Sequence, residues 1–274
     1  MQQIIVGVNL SNQSSFLLKY ALELAQYFEA QLTVAHIIYE RVADLTKPRS
    51  ERAKAFETYR LKQQKVLTKF IQEQRATSSA QIVVQPIVRY GGTYSELCQV
   101  AEDIQADLLI VGKLIRFGSS MSSDLSHRLL AGAPCPILVV PDKLFFRPLK
   151  NIAYLSNFQL EDCAVILKLK YWADIFDAQI SNRQLCETAA SRKSAEQRLD
   201  ILAQVFPQDH IYFETMDAAV EKSIVQYTQQ LDTDLIVLLQ RKRNLWEGFF
   251  KRSLKRVIAG ETKVPTLIFQ QRNL

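Results

Sequence analysis

Cysteine and histidine are scarce in this chain of 274 residues, which has four of the first and three of the second. Cys98, Cys135, Cys163 and Cys186 include no Cys-x-x-Cys pair, so neither a zinc knuckle nor a dithiol redox motif is written into the sequence. His36, His127 and His210 stand apart, with no His-x-x-x-His and no carboxylate at ligand spacing, and no metal site is expected. The eight glycines never fall into Gly-x-Gly-x-x-Gly. The stretch from Gly112 to Ser120 lacks the lysine of a P-loop, and a Gly-x-Ser-x-Gly elbow is absent too. Dinucleotide, Walker-type and serine-hydrolase chemistry are therefore disfavoured. No catalytic residue can be nominated, and the protein is expected not to be an enzyme.

Long apolar runs are missing as well. Stretches such as Leu108–Val111 and Leu235–Leu239 fit buried strands and fall far short of the roughly 18 residues that cross a bilayer, so no membrane span is expected. Met1-Gln2-Gln3-Ile4 has neither the basic nor the apolar region of a leader, and a reduced, cytoplasmic protein is the expectation. A net charge of +6 would suit an anionic partner but selects none.

What is present is a repeat. Gln105-Ala106-Asp107-Leu108-Leu109-Ile110-Val111 through Pro136-Ile137-Leu138-Val139-Val140 returns as Asp232-Thr233-Asp234-Leu235-Ile236-Val237-Leu238 through Pro265-Thr266-Leu267-Ile268-Phe269. A period on the order of 130 to 150 residues is one ordinary α/β domain. Each half alternates strand and helix. Ile4–Val8 reads as a β-branched buried strand, followed by a turn at Asn9–Asn12 and a helix whose apolar positions Phe16, Leu17, Tyr20, Ala21, Leu24, Ala25 and Phe28 lie on one face. Leu32–Ile38, the region of Ile82–Val88, Leu108–Val111 and Ile137–Val140 supply further strands. A charged helix is expected over about 49–74, a helix on the face of Tyr94, Leu97, Cys98, Ala101 and Ile104, and another near Ser123–Leu130. Pro141 and Pro148 bracket a boundary, giving domains over 1–143 and 148–274. In the second half, Ile152–Leu155, Phe176–Ile180, Ile211–Glu214, Leu235–Leu239 and Thr266–Phe269 are the expected strands, with Val165–Trp172 in the first helix. Such alternation implies right-handed crossovers and a mostly parallel, Rossmann-like sheet with ligands at the carboxyl ends of its strands.

Those strand ends resemble the universal stress protein family. The turns Val8-Asn9-Leu10-Ser11 and Ser156-Asn157-Phe158-Gln159 stand where the family has Asp, a small residue and Ser. Ala106 to Gly112 and Ala133-Pro134-Cys135-Pro136-Ile137-Leu138-Val139-Val140 match its second hallmark, more loosely copied at Thr262-Lys263-Val264-Pro265. The resemblance implies two tandem five-stranded parallel units with helices on both faces, together mimicking a family dimer. It further implies pairing of Ile137–Val140 with Thr266–Phe269, since a bare edge strand is normally covered. A homodimer of two chains stays open beside it. Activity would be a stress response exerted through protein contacts, with protein partners unidentified.

ATP-binding relatives wrap phosphates in a glycine loop after the fourth strand, where backbone N–H groups approach phosphate oxygens and a helix N-terminus follows. In the first half Gly112 matches the first glycine, Ile115 replaces the second, and Gly118, Ser119, Ser120, Ser122 and Ser123 populate the loop, with Asp124 opposing an anion. Asn9, Ser11, Ile37, Val111, Gly112, Gly118, Ser119, Ser120 and Ser123 are thus the candidate nucleotide contacts, with helix capping as the competing role of the serines and of Asn9. No cofactor is required by this pattern; ATP in the first half is the one the resemblance offers, either as a regulatory ligand or as the substrate of a slow ATPase switch. In the second half Asn157, Gln240, Arg252 and Ser253 are the counterparts of a degenerate site. Arg241, Lys242, Arg243, Lys251, Arg252, Lys255 and Arg256 beside Trp246, Phe249 and Phe250 read as a solvated helix face, so nucleic acid is not expected.

Overall fold

The computed structural model describes residues 1–38, 49–112, 132–186, 189–206, 210–217, 232–241 and 262–274. Within these the chain forms strands β1 (Gln3–Val8), β2 (Gln31–Ile38), β3 (Val84–Tyr90), β4 (Leu108–Gly112), β5 (Ile137–Val140), β6 (Asn151–Ser156), β7 (Gln179–Cys186), β8 (Ile211–Asp217), β9 (Leu235–Gln240) and β10 (Thr266–Gln270). Helices α1 (Asn12–Tyr27), α2 (Arg49–Arg75), α3 (Thr93–Asp103), α4 (Leu160–Phe176) and α5 (Ala189–Val205) alternate with them. The helix expected near 123–130 lies outside the described residues. Two compact units result: Met1–Cys135 with Asp142–Phe146, and Pro136–Pro141 with Arg147–Leu274.

Unit 1 orders its strands β3-β2-β1-β4, all parallel. Apolar β-branched residues make these strands: Ile4, Ile5, Val6, Leu108, Leu109 and Ile110 are fully buried, as strands covered on both faces must be. Helix α1 buries Leu17, Tyr20, Ala21, Leu24 and Ala25 of the stripe read from the sequence and Leu18 and Leu22 besides, while Phe16 is only half-buried. Its outer aromatics are covered by the segment after β5. Phe145 meets Phe16 edge-on at 5.4 Å, and Phe146 meets Tyr20 and Tyr27, each at 5.3 Å.

Unit 2 orders its strands β5-β10-β9-β6-β7-β8. In this division β5 is grouped with the strands of the second half, and it runs antiparallel to β10 with Leu138 opposite Leu267. This is the Ile137–Val140 pairing that the resemblance implied; two buried strands cover one another, with Leu138 and Ile137 against Leu267 and Ile268. A difference concerns β7. The helix runs on to Phe176 and stops at Asp177 in a left-handed conformation, and the strand occupies Gln179–Cys186 instead of Phe176–Ile180. Its polar residues Asn182, Arg183 and Gln184 disguised it.

The duplication is written into the backbone. Left-handed residues Leu10 and Glu29 return at the same offset as Phe158 and Asp177. Asp107 Oδ2 accepts the backbone N–H groups of Gln2 and Gln3 at 2.6 and 3.0 Å, and Asp234 Oδ2 accepts those of Lys150 and Asn151 at 2.8 and 3.0 Å. Each aspartate satisfies two donors at the start of a strand, β1 or β6, and so ties that start to the residue ahead of the neighbouring β4 or β9.

Candidate functional site

In unit 1 the strand order reverses between β1 and β4, since β2 and β3 lie on one side of β1 and β4 on the other. Ligands of doubly wound sheets bind at such a switch point, beyond the carboxyl ends of the strands. Register places the candidates there. Val8 pairs with His36, so Ile37 abuts Asn9; Val6 pairs with Ile110, which brings Gly112 beside the end of β1. Val111 and Ile37 are buried, at 5% and 6% exposure, whereas Asn9, Ser11 and Gly112 are half-buried. Gly118, Ser119, Ser120 and Ser123 lie outside the described residues.

The turn after β1 is closed by its own side chains. Asn9 Oδ1 accepts from the Ser14 hydroxyl at 2.6 Å and from the Ser11 N–H at 3.2 Å, and Ser14 Oγ accepts the Asn9 N–H at 3.0 Å. Ser11 caps α1 by accepting the Ser14 N–H at 3.4 Å. Both lone pairs of the Asn9 carbonyl are spent in the turn, so what Asn9 has to offer beyond it is the donor Nδ2 amide. His36 Nδ1 lies 3.0 Å from the Val8 carbonyl and must donate to it, which leaves Nε2 as an acceptor. Burial holds the ring's pKa below the ordinary value, the backbone bond opposing, so the imidazole is neutral.

Gly112 is not demanded by its backbone or by the core. A Cβ there would meet its nearest described neighbour, Leu17 Cδ2, at 3.4 Å, an ordinary contact. Gly7 contrasts with it: a Cβ would press on Leu97 at 3.0 Å. Among the described residues nothing in the packing requires Gly112 at the switch point, where a ligand's approach to the backbone would supply a reason.

Unit 2 treats the same position differently. Its switch point lies between β6 and β9. Ile152 pairs with Leu235 as Ile4 does with Leu108, so the register gives Gly112's place to Leu239, one residue before Gln240. Leu239 is buried at 7% exposure, and Gln240 is half-buried with its Oε1 unpartnered. Asp162, fully buried in the first turn of α4, accepts from Arg241 Nη2 and from the Gln159 N–H, each at 2.7 Å, and from the Tyr154 hydroxyl. Arg241 also lies 3.9 Å from Glu161. Burial, then the Asp162 charge, pushes the Tyr154 phenol well above its usual pKa, so it stays a donor. Position 162 corresponds to Ser14, so a neutral hydroxyl in unit 1 has become a carboxylate that holds an arginine across the strand ends. Asn157 is 8% exposed and its Oδ1 has no partner. Arg252 and Ser253 lie outside the described residues. No residue pattern announced the Tyr154–Asp162–Arg241 network: Arg241 belongs to a basic run, and its partner is 79 positions away.

The universal stress protein family model matches residues 1–141. The chain belongs to that family. Among solved structures, a putative universal stress protein from Pseudomonas aeruginosa UCBPP-PA14 is similar at 15% identity with a TM-score of 0.66, covering 98% of this chain and 93% of its own. A universal stress protein from Archaeoglobus fulgidus DSM 4304 is similar at 12% identity and a TM-score of 0.67, with 98% of both chains covered. A functionally unknown protein from Pseudomonas aeruginosa PAO1 gives 16% identity and a TM-score of 0.65 over 98% of this chain and 92% of that one. These likenesses speak for the fold of the whole tandem. None of the curated proteins matches the sequence. Among the described residues there is no cluster of metal-ligating side chains, and no helix is long and apolar enough to cross a membrane.

Proposed function

We propose that this universal stress protein is a non-enzymatic stress-response module that acts through protein contacts and takes an adenine nucleotide in unit 1 alone. The observation that carries this reading is the fate of one position. Gly112 stays a glycine although neither its backbone nor the adjoining Leu17 requires it, whereas Leu239 fills the matching place in unit 2 behind the Arg241–Asp162 pair. In unit 1 the Asn9 amide and the Ile37 strand end would border the base, and the backbone at Val111–Gly112 would approach the phosphates. In unit 2 the guanidinium that could meet a phosphate is spent on Asp162. Non-enzymatic action rests on the lack of a nucleophile or base among these groups: Asn9 is committed to its turn, and His36 points its N–H at Val8.

The test is direct. The purified protein is heat-denatured, and the supernatant is analysed for adenine nucleotide; Mg-ATP is then titrated into nucleotide-free protein by calorimetry. One nucleotide per chain, lost in Gly112→Val, supports the reading. No binding retires it, and steady release of ADP from bound ATP replaces the module with an ATPase switch.

A further inference from the structure

We propose that Ser156, Asn182 and Gln184 form a closed polar site in unit 2 for a small uncharged molecule presenting a hydrogen-bond donor and an acceptor side by side, as the edge of an amide or a pyrimidine does. The three residues share one face of the sheet at the carboxyl ends of β6 and β7. Tyr154 pairs with Asn182 and Ser156 with Gln184 in parallel register, and residues two apart on a strand face the same way. All three are more than nine-tenths buried, at 4%, 0% and 6% exposure.

Their hydrogen bonds do not close. Ser156 Oγ donates to Asn182 Oδ1 at 2.6 Å and accepts the Phe158 N–H at 3.3 Å. Among the described residues, Asn182 Nδ2 and Gln184 Oε1 have no partner. Turning the Asn182 amide over would orphan its oxygen instead of its nitrogen, so one polar atom is left over in either assignment. A buried polar atom without a partner is costly, and each in a native fold asks for an explanation, of which an absent bonding partner is the simplest. Asn182 and Gln184 are two residues apart on β7, so their Cα atoms stand about 7 Å apart on one face, and a small molecule between the two side chains would meet both a donor and an acceptor.

The comparison with unit 1 removes the explanation that the fold needs polar groups there. The register-matched residues of unit 1 are Val8, Val34 and His36. Of these, only His36 is polar, and it is satisfied by the Val8 carbonyl at 3.0 Å. At two of the three positions unit 2 has therefore placed polarity where the same backbone runs with valine, and at the third an amide in place of a satisfied imidazole. The ligand's character follows from the surroundings. Among the described residues the nearby cations are engaged, Arg241 with Asp162 at 2.7 Å and Arg183, on the opposite face of β7, with Glu214 at 2.9 Å, which favours an uncharged ligand over an anion. Phe158 meets Phe213 edge-on at 6.2 Å, and Phe213 is the register partner of Asn182, which gives the site an aromatic side. This face is not the one toward which Asn157 and Gln240 alternate, and the site is separate from the nucleotide crevice of unit 1.

The experiment uses nicotinamide and uracil as probes on the full chain, with ligand-observed NMR for binding and thermal unfolding for linkage. A double variant, Asn182→Val with Gln184→His, installs the residues that unit 1 carries at these positions. Expected is saturation transfer to at least one probe with the wild-type chain, a melting temperature raised by a few degrees at about a hundredfold excess over Kd, and binding at least tenfold weaker in the double variant. The single variant Gln184→His should give the same loss if the pair fails to fold. Equal signals from wild type and variants, displacement of the probe by Mg-ATP, or no signal from the wild type would overturn the proposal. In the last case ordered water is the partner of both groups.

Discussion

At the end of β1, Asn9 and a left-handed Leu10 lead into α1; at the end of β6, Asn157 and a left-handed Phe158 lead into α4 by the same path. The backbone has been copied and the chemistry has not. In unit 1 the turn is tied by neutral groups, with Ser14 and Asn9 exchanging hydrogen bonds, and a glycine follows on β4. In unit 2 the residue at Ser14's place is Asp162, which gathers Tyr154, Gln159 and Arg241, and the glycine has become Leu239. The side chains at a switch point can thus be exchanged without disturbing the left-handed residues of the turn or the aspartates that anchor β1 and β6. Backbone conservation within one molecule says nothing about whether a site still takes its ligand.

The contrast breaks most sharply at Asp162. Removing one partner of a buried ion pair leaves the other charged and stranded, so Asp162→Ala should destabilise the protein by about 3–5 kcal/mol. Ser14→Ala, at the matching position, forfeits neutral hydrogen bonds and should cost about 1 kcal/mol. Urea unfolding of the two variants measures the difference. Equal losses would mean that Arg241 is not held as described.

The paired staples come next. Asp107→Ala and Asp234→Ala each strip a carboxylate from two backbone donors, for about 2 kcal/mol apiece. Similar shifts in denaturation midpoint are expected. A large effect from one and none from the other would break the equivalence of the two units at their most conserved contact.

At the turn after β1, Asn9→Ala should cost about 1 kcal/mol by leaving the Ser11 N–H without its acceptor. Asn9→Asp keeps that acceptor and should stay within about 0.5 kcal/mol of the parent. Calorimetry of the Asp variant sharpens the comparison, because it restores the carboxylate that the resemblance places beside a nucleotide; tighter Mg-ATP binding is expected in unit 1.

The smallest effect concerns acid. His36 has its folded-state pKa held below the unfolded 6.5 by burial, so the unfolded chain binds the extra proton first. Stability from this group is present above pH 6.5 and is lost as the pH falls through the lowered folded value. His36→Gln, which installs the residue that Gln184 provides in unit 2, should flatten the pH dependence of the melting temperature across that window. An unchanged slope would show that the imidazole is not buried neutral.

Much of this was legible in the amino acids. The strand and helix faces of unit 1 followed from apolar spacing, because strands buried on both sides and a helix buried on one impose different periods. The β5–β10 pairing followed from the family resemblance, joined to the expectation that a bare edge strand is covered. What stayed hidden was polar and distant. β7 escaped as a strand through Gln184 because Asn182, Arg183 and Gln184 break its hydrophobic run, and nothing local says that two of them are buried. Arg241 looked like one more surface cation, since its carboxylate partner belongs to another element. The displacement of Gly112's counterpart from Gln240 to Leu239 appears only once the strands are set in register. In each case the missing information was a contact between residues far apart along the chain.

The central claim is that one of two copied crevices remains open to a nucleotide while the other is shut by its own arginine. Isothermal titration of Mg-ATP into nucleotide-free protein, run in parallel on Gly112→Val and on Arg241→Met, tests it most directly. The account predicts one site per chain, abolished by the first substitution and unmoved by the second. Two sites, none, or a single site that survives Gly112→Val and disappears with Arg241→Met would contradict it.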